Sequence, residues 1–346
     1  MLIMNGHVSD AGHEEAGHPE RPDRLHAALA GVNDLHLGDD LQFVAPYSAT
    51  RAELLRAHDG AFLDELGAFC YEGGGNIDED TYATFDSWAI AHYAAGAGLA
   101  VVREMQARGD AVGFVAARPP GHHALRDRAM GFCLLNNVAV TAAALTELGE
   151  RVLIVDWDVH HGNGTQSIFW NDPQVLYVST HQWPLYPGSG GAREIGGPDA
   201  LGGTLNIPLP PGATGEVVQR GVDEIATPVI EQFAPTWVLV SAGFDAHRDD
   251  PIANLALSSG DFASLARWVA YLAPPGRLAL FLEGGYNLSA LRSSVAATFA
   301  AILDAPSETE PPTNGGAGHA EVERAQSERR IALDTALEDQ QLKGSL

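Results

Sequence analysis

The stretch Val152-Leu-Ile-Val-Asp156-Trp-Asp158-Val-His160-His161-Gly-Asn163-Gly runs from four apolar residues directly into two acids, two histidines and two glycines. An unbroken apolar run of this length is how a strand reads when both faces of a parallel sheet are covered. The polar half of the stretch reads as a metal site, because carboxylate oxygen and imidazole nitrogen together suit a zinc-like divalent cation. Asp156, Asp158 and His160 are spaced by two residues. If the chain stays extended past Asp156, all three side chains point to one side. One strand end then supplies both metal ligands and the groups that orient them.

Four further apolar runs end in the same way. Residues 111–117 lead into Arg118-Pro-Pro-Gly-His122-His123, and residues 175–178 into Ser179-Thr-His181. Residues 237–240 lead into Ser241-Ala-Gly-Phe-Asp245, and Leu278–Leu282 into Glu283-Gly-Gly-Tyr286. Helical stretches lie between them at 85–108, 137–148, 215–233 and 259–272. Alternating strand and helix predicts an α/β fold with a parallel sheet covered on both faces. In such sheets ligands gather at the carboxyl ends of the strands, which is where these histidines and acids fall.

The 346 residues suit one large α/β domain or two small ones, and 45% hydrophobic residues indicate a globular chain. No run approaches the roughly 18 apolar residues of a membrane helix, and residues 1–10 do not read as a signal peptide. Two cysteines, Cys70 and Cys133, make no disulfide framework, so a reducing cytoplasm is expected. Cys133 is expected as a small buried residue near the site. Of the 20 basic residues only Lys343 is a lysine, and the net charge is −25. Such a field repels nucleic acid phosphate and attracts cationic ligands; direct nucleic acid binding is not expected, and acidity of this kind also suits a salty habitat. There is no internal repeat. Residues 1–304 are expected to form the catalytic domain. Residues 305–318, rich in Pro, Glu, Thr and Gly, read as a linker, and 319–341 as a charged terminal helix without a chemical role.

A catalytic zinc usually takes three protein ligands and keeps an open position. Asp158 and His160 therefore need a partner, and Asp245 is the candidate, although an Asp at a strand end also caps helices. His122 and His123 follow a stiff Pro-Pro-Gly turn; they are either two more ligands or a general base and acid beside the metal. The second reading is favoured if Asp158, His160 and Asp245 fill three positions. Histidines used this way need partners on the other ring nitrogen, and Asp156 and Asn163 are available. Tyr286, after two glycines, would offer its hydroxyl to a developing oxyanion. His7, His13 and His26 have no partner pattern, whereas His181 and His247 fall near the rim of the site.

Taken in order, Arg118-Pro-Pro-Gly-His-His, Gly131-Phe-Cys-Leu-Leu-Asn-Asn, Asp156-Trp-Asp-Val-His-His-Gly-Asn-Gly-Thr-Gln, Ser241-Ala-Gly-Phe-Asp and Glu283-Gly-Gly-Tyr-Asn resemble the histone deacetylase superfamily. The likeness is greatest to its class II branch and to bacterial deacetylase-like amidohydrolases, and runs from about residue 18 to 300, taking in His18-Pro-Glu-Arg-Pro-Asp-Arg24. It implies the arginase-deacetylase fold, three layers with a mainly parallel eight-stranded sheet between helices. It also implies zinc on Asp158, His160 and Asp245, catalysis by His122, His123 and Tyr286, and Asp156 as partner of the first histidine. Class II proteins carry Asn as the second histidine's partner, and Asn163 stands there. A neutral amide stabilises an imidazolium less than a carboxylate does, so His123 is expected to be the more easily deprotonated of the pair. Gly131, Phe132, Tyr186 and Gly285 correspond to the substrate channel, with Tyr where most relatives have Phe. Arg24 corresponds loosely to an arginine near an internal acetate path. A structural potassium ion is implied at Asp156, Asp158, His160, Ser179 and Thr180, and a second near Phe169, Asp172 and Val175.

The activity implied is zinc-assisted hydrolysis of acetyl-lysine, or another acetylated amine, to acetate and free amine. An acetylpolyamine substrate is the alternative. Polyamine-specific relatives carry a gatekeeper Glu after the Asp-Pro pair, where this chain has Asp250-Pro251-Ile252, so Glu194 or Asp199 would have to substitute. A catalytically silent acyl-lysine binder is less consistent with an intact Tyr286, and a two-manganese ureohydrolase needs more aspartates. A homo-oligomer is compatible with the sequence.

Overall fold

The computed structural model describes residues 1–6 and 9–344, so His7 lies outside the described residues. In chain order its strands are β1 (Leu2–Asn5), β2 (Leu41–Val44), β3 (Gly74–Asn76), β4 (Tyr82–Thr84), β5 (Val112–Val115), β6 (Val152–Asp156), β7 (Val175–Gln182), β8 (Thr204–Leu209), β9 (Trp237–Ala242) and β10 (Leu278–Leu282). Eight of them form one wholly parallel sheet in the order β2-β1-β5-β10-β9-β6-β7-β8. β3 and β4 pair as a separate antiparallel hairpin.

The apolar runs form the sheet because both faces are covered. Along β6, Leu153 and Val155 join one hydrophobic cluster, and Val152 and Ile154 the cluster on the opposite face. The first face is packed by the helices Asp23–Asn33, Ser259–Leu272 and Leu288–Leu303, and the second by Gly60–Tyr71, Ser87–Arg108 and Asn137–Thr146. This is the three-layer arginase-deacetylase architecture, and the strand ends bearing the histidines and acids all emerge on one side.

Several elements escape the apolar-run reading. β1, β2 and β8 are short or polar, and β8 carries Pro208, tolerated because this strand is a sheet edge. Leu288–Leu303 is dominated by Ala and Ser, whose burial leaves little amphipathic contrast. The expected helix 215–233 is interrupted: Gly215–Gly221 and Thr227–Phe233 are α-helical, joined by a π-helical turn at Val222–Ala226. Pro228, near the start of the last piece, has no N–H for the regular ladder, and the Thr227 hydroxyl donates to Val222 O (2.9 Å) beside the break.

Residues 305–318 contain no helix or long strand, yet they are fastened to the domain. Thr313 N and Oγ1 donate to the Asp261 carboxylate, and Ser258 Oγ donates to Pro311 O (2.8 Å). The terminal helix, His319–Gly344, then lies along β8. Val322 is fully buried, and Arg329 donates to the carbonyls of Gly202 (2.8 Å) and Thr204 at the open sheet edge. Covering an edge in this way hides backbone groups that would otherwise recruit another strand. No described helix is long and apolar enough to cross a membrane. Val322→Asp would bury an unpaired charge under the helix and is expected to destabilise the fold by about 3 kcal/mol; thermal unfolding measures it, and an unchanged midpoint would mean the helix does not dock.

Candidate active site

Extension along β6 stops at Asp156. Trp157 N still donates to Ser241 O (3.2 Å), and then the chain bends. The bend is held by the carboxylates themselves: Asp158 N donates to Asp156 Oδ1 (3.2 Å) and His160 N to Asp158 Oδ1 (2.9 Å). The expected straight continuation is therefore replaced by a tight loop, because these acids find nearby backbone N–H donors. The loop still brings Asp158 and His160 together, and Asp245 joins them from beyond β9. Ligand atoms of the three lie within 4.8 Å of one another, all buried.

This donor set suits a divalent ion. His160 Nδ1 is 3.1 Å from Asp158 Oδ1 and 3.2 Å from Asp245 Oδ2. Asp245 Oδ2 is buried with no well-formed hydrogen bond and only the His160 ring beside it, a place where a bound cation would compensate the carboxylate further. Burial, followed by the nearby Asp158 charge, pushes the Asp245 carboxyl up to about 7. Two glycines make room. A Cβ on Gly243 would sit 2.0 Å from Asp158 Oδ2, and one on Gly284 2.0 Å from Asp245 Oδ2.

His122 and His123 leave their turn with ring centroids 4.0 Å apart. His122 Nδ1 meets Asp156 Oδ2 at 3.0 Å, and the same oxygen accepts from the Tyr177 hydroxyl (3.0 Å). His123 Nδ1 meets Asn163 Oδ1 at 2.8 Å. Burial opposes charge on His122, but Asp156 and Asp158 more than offset it, and its pKa rises to about 10. Burial, then the charges of His122 and His160, hold His123 well below the usual histidine range. The direction agrees with the sequence expectation, but the leading cause is burial and not the choice of Asn163.

Tyr286 closes the far side. Burial pushes its phenol well above the ordinary range despite Arg24, so the hydroxyl keeps its proton. A cavity of about 220 Å³ runs in to this point, walled by Phe132, Tyr186, Leu185 and Gly131, with Asp80 and Ile252 also in its lining. Phe132 meets the Tyr286 ring edge-on at 5.8 Å, and Tyr186 meets His123 at 5.1 Å. Gly284 lines the cavity; Gly285 does not, and instead its carbonyl accepts from Arg24 Nε (2.7 Å).

The remaining expected positions are spread around this centre. Arg24 is fully buried and stacks 4.7 Å over the Tyr286 ring. Ser179 pairs in register with Asp156, beside Thr180, and its hydroxyl is 2.9 Å from His181 Nδ1. Phe169, Asp172 and Val175 form successive backbone-bonded turns. Glu194 lies outside the cavity lining, and its oxygens accept from Gly190 N, Gly191 N and Gln166. Asp199 lines a different groove, beside the terminal helix. His181 and His247 are buried outside the channel lining, and His13 is buried against Ser87.

Two acids matter more than the sequence reading allowed. Glu283 accepts from Ser241 Oγ (3.1 Å), Gly121 N (2.6 Å) and His122 N (3.2 Å), so it sets the backbone of the histidine pair. It also lies near His122 and Cys133, a second cluster of ligand-type groups whose carboxylate is already engaged. Asp250 accepts from Tyr286 N (2.7 Å) and Asn287 N (3.2 Å). An acid directly ending an apolar strand was the available signal for Glu283. Asn163→Asp would place a negative charge 2.8 Å from His123 Nδ1 and raise its pKa. Neutral His123 would then be lost on acidification at a higher pH. The acidic limb of the pH–rate profile should move up by about one unit or more, and an unmoved limb would rule out His123 as the titrating base.

The histone deacetylase domain matches residues 18–302 of this chain. Histone deacetylase 14, chloroplastic, of Arabidopsis thaliana is 40% identical over 319 residues, covering 84% of this chain and 74% of that protein. A histone deacetylase-like amidohydrolase of Pseudomonas aeruginosa is 37% identical, covering 79% of this chain and 73% of its own length. The crystal structure of the HDA15 HD domain superposes with a TM-score of 0.85 at 31% identity, covering 98% of this chain and 99% of that one. With that domain, those relatives and the same architecture, the chain belongs to the histone deacetylase family, a family of hydrolytic deacetylases and amidohydrolases.

Proposed function

We propose that this protein is a zinc-dependent deacetylase that hydrolyses the amide of acetyl-lysine in a protein, peptide or related acyl amide to acetate and free amine. The observation that carries the reading is one convergence: a three-residue donor set, two histidines of opposed proton affinity and a protonated phenol at the foot of an aromatic-walled channel.

Asp158, His160 and Asp245 would hold the zinc, and the Asp245 oxygen left without a well-formed hydrogen bond and the mixed carboxylate–imidazole set fit that ion. When bound, zinc supplies Lewis acidity toward the amide carbonyl and toward water. Phe132 and Tyr186 would flank the methylene chain and exclude water. With Nδ1–H directed at Asn163, neutral His123 presents a free Nε2 lone pair to take a proton from the attacking water. His122, charged and held by Asp156, would deliver a proton from Nε2 to the departing amine. The Tyr286 hydroxyl would donate to the developing oxyanion. Asp156, Asp158, His160, Ser179 and Thr180 are assigned a structural potassium ion through oxygen donors of the kind it favours. We assign the chemistry to residues 1–304 and the protein to the cytoplasm, where the two buried free cysteines suit a reducing medium.

One observation favours an acetylpolyamine instead: Asp80 is the carboxylate in the channel lining, suited to a second ammonium. Ile252, in the expected gatekeeper place, weighs for the peptide. The test is kcat/KM of the zinc-loaded protein on an acetyl-lysine peptide and on an N-acetylated polyamine. We expect peptide preference, abolished by chelation and restored by zinc. Tyr286→Phe should lower kcat by about 10²–10³, with zinc content unchanged. Preference for the polyamine that Asp80→Asn removes would establish the alternative, and no turnover of either would refute deacetylation.

A further inference from the structure

The chemistry is assigned to residues 1–304, yet the loop between Asp245 and Ala253 is held from beyond that point. Glu310 Oε2 is 3.0 Å from His247 Nε2 and accepts from Ser259 N (3.0 Å), while Oε1 pairs with Arg248. In return Glu310 N donates to Ser259 Oγ (3.0 Å). The carboxylate therefore ties the strap, residues 305–318, to the start of the helix Ser259–Leu272 and to the middle of the loop. His247 is 2% exposed and sits two residues beyond Asp245.

From His247 the contacts run straight into the site. Asp249 N donates to His247 Nδ1 (3.2 Å) and Asp250 N to His247 O (2.9 Å), so the ring and carbonyl of His247 shape the turn. That turn aims Asp250, whose Oδ2 accepts from Tyr286 N and Asn287 N and whose Oδ1 accepts from Ile252 N (3.2 Å). Asn287 Nδ2 adds a bond to Asp249 O (3.0 Å). One loop thus links a candidate metal ligand, a channel residue and the backbone of the tyrosine, and its outer side rests on Glu310.

We propose that Glu310 is a positioning residue for the active site: by clamping His247 and Arg248 it fixes the loop through which Asp250 sets Tyr286. The proposal rests on the deacetylase reading for its effect on rate, but the physical link from strap to tyrosine is independent of it. The segment expected to be a chemically idle linker is then part of the catalytic unit, and it lies outside the matched family domain, residues 18–302. A misplacement of the hydroxyl by a fraction of an ångström costs rate, while Asp158, His160 and the walls Phe132 and Tyr186, which are not on this loop, keep their places.

The experiment uses the full zinc-loaded chain with Glu310→Ala, Glu310→Gln, and Glu308→Ala as an exposed neighbour. Hydrogen exchange of amides in 246–252 and 285–287 should quicken about tenfold in Glu310→Ala, with the rest of the sheet unaffected. For the acetyl-lysine peptide, kcat should fall about tenfold with KM within about twofold. Glu310→Gln, which keeps an acceptor oxygen, should recover part of both, and Glu308→Ala should match the wild type. Unchanged exchange at 285–287, or a lowered melting temperature with wild-type kcat, would overturn the proposal. If the wild type fails to turn over the peptide, the functional reading falls while the exchange measurement still decides whether Glu310 holds the tyrosine loop.

Discussion

Everything around the site depends on holding two carboxylates, Asp158 and Asp245, side by side where water does not reach. Like charges in a buried place repel strongly, and each oxygen must be compensated. Backbone N–H groups do much of this: Gly284 N donates to Asp158 Oδ2 (2.8 Å), His160 N to Asp158 Oδ1 and Val159 N to Asp245 Oδ1. The oxygen left over, Asp245 Oδ2, faces His160. Such close approach of backbone and carboxylate is possible only where no Cβ intervenes, which is why Gly243 and Gly284 stand at these strand ends.

The same compensation orders the histidine pair. Adjacent imidazoles 4.0 Å apart cannot both hold a proton cheaply. Asp156 lies against the first ring with Asp158 near it, whereas burial and the charges of His122 and His160 hold the second neutral, so the charge settles on His122. Glu283 fixes the backbone that presents both rings, and is itself pushed up to about 7 by burial despite His122 and the Gly121 amide. A second buried network, in which Glu20 receives Arg24 and Arg118, reaches the site from the amino-terminal segment. Arg118 opens the Pro-Pro-Gly motif, so motif and N-terminal segment are joined through one carboxylate.

The large negative net charge fits this picture only loosely. The acids that hold the site together, Asp156, Asp158, Asp245, Asp250 and Glu283, are few and buried, whereas most of the remainder sit at the surface. Surface acidity would raise the local concentration of cationic substrates without choosing among them. On the proposed function, selection would fall to the channel, whose walls are aromatic and aliphatic apart from Asp80 and the histidines.

The local sequence determined a good deal. The apolar runs ending in histidine and acid located five of the eight sheet strands, since strands buried on both faces cannot hide their composition. The spacing of Asp156, Asp158 and His160, and the motifs around His122, Asn163, Asp245 and Tyr286, singled out the residues that converge. Tertiary structure decided the rest. Short or polar strands and Ala-rich helices carry weak patterns, so β1, β2, β8 and Leu288–Leu303 emerge only when packed. The opposed proton affinities of His122 and His123, and the roles of Glu283, Asp250 and Glu310, depend on partners between 34 and 162 residues away in the chain. Hydrogen bonds over such separations leave no periodic trace in sequence, because which buried donor meets which carboxylate is settled only when the layers close.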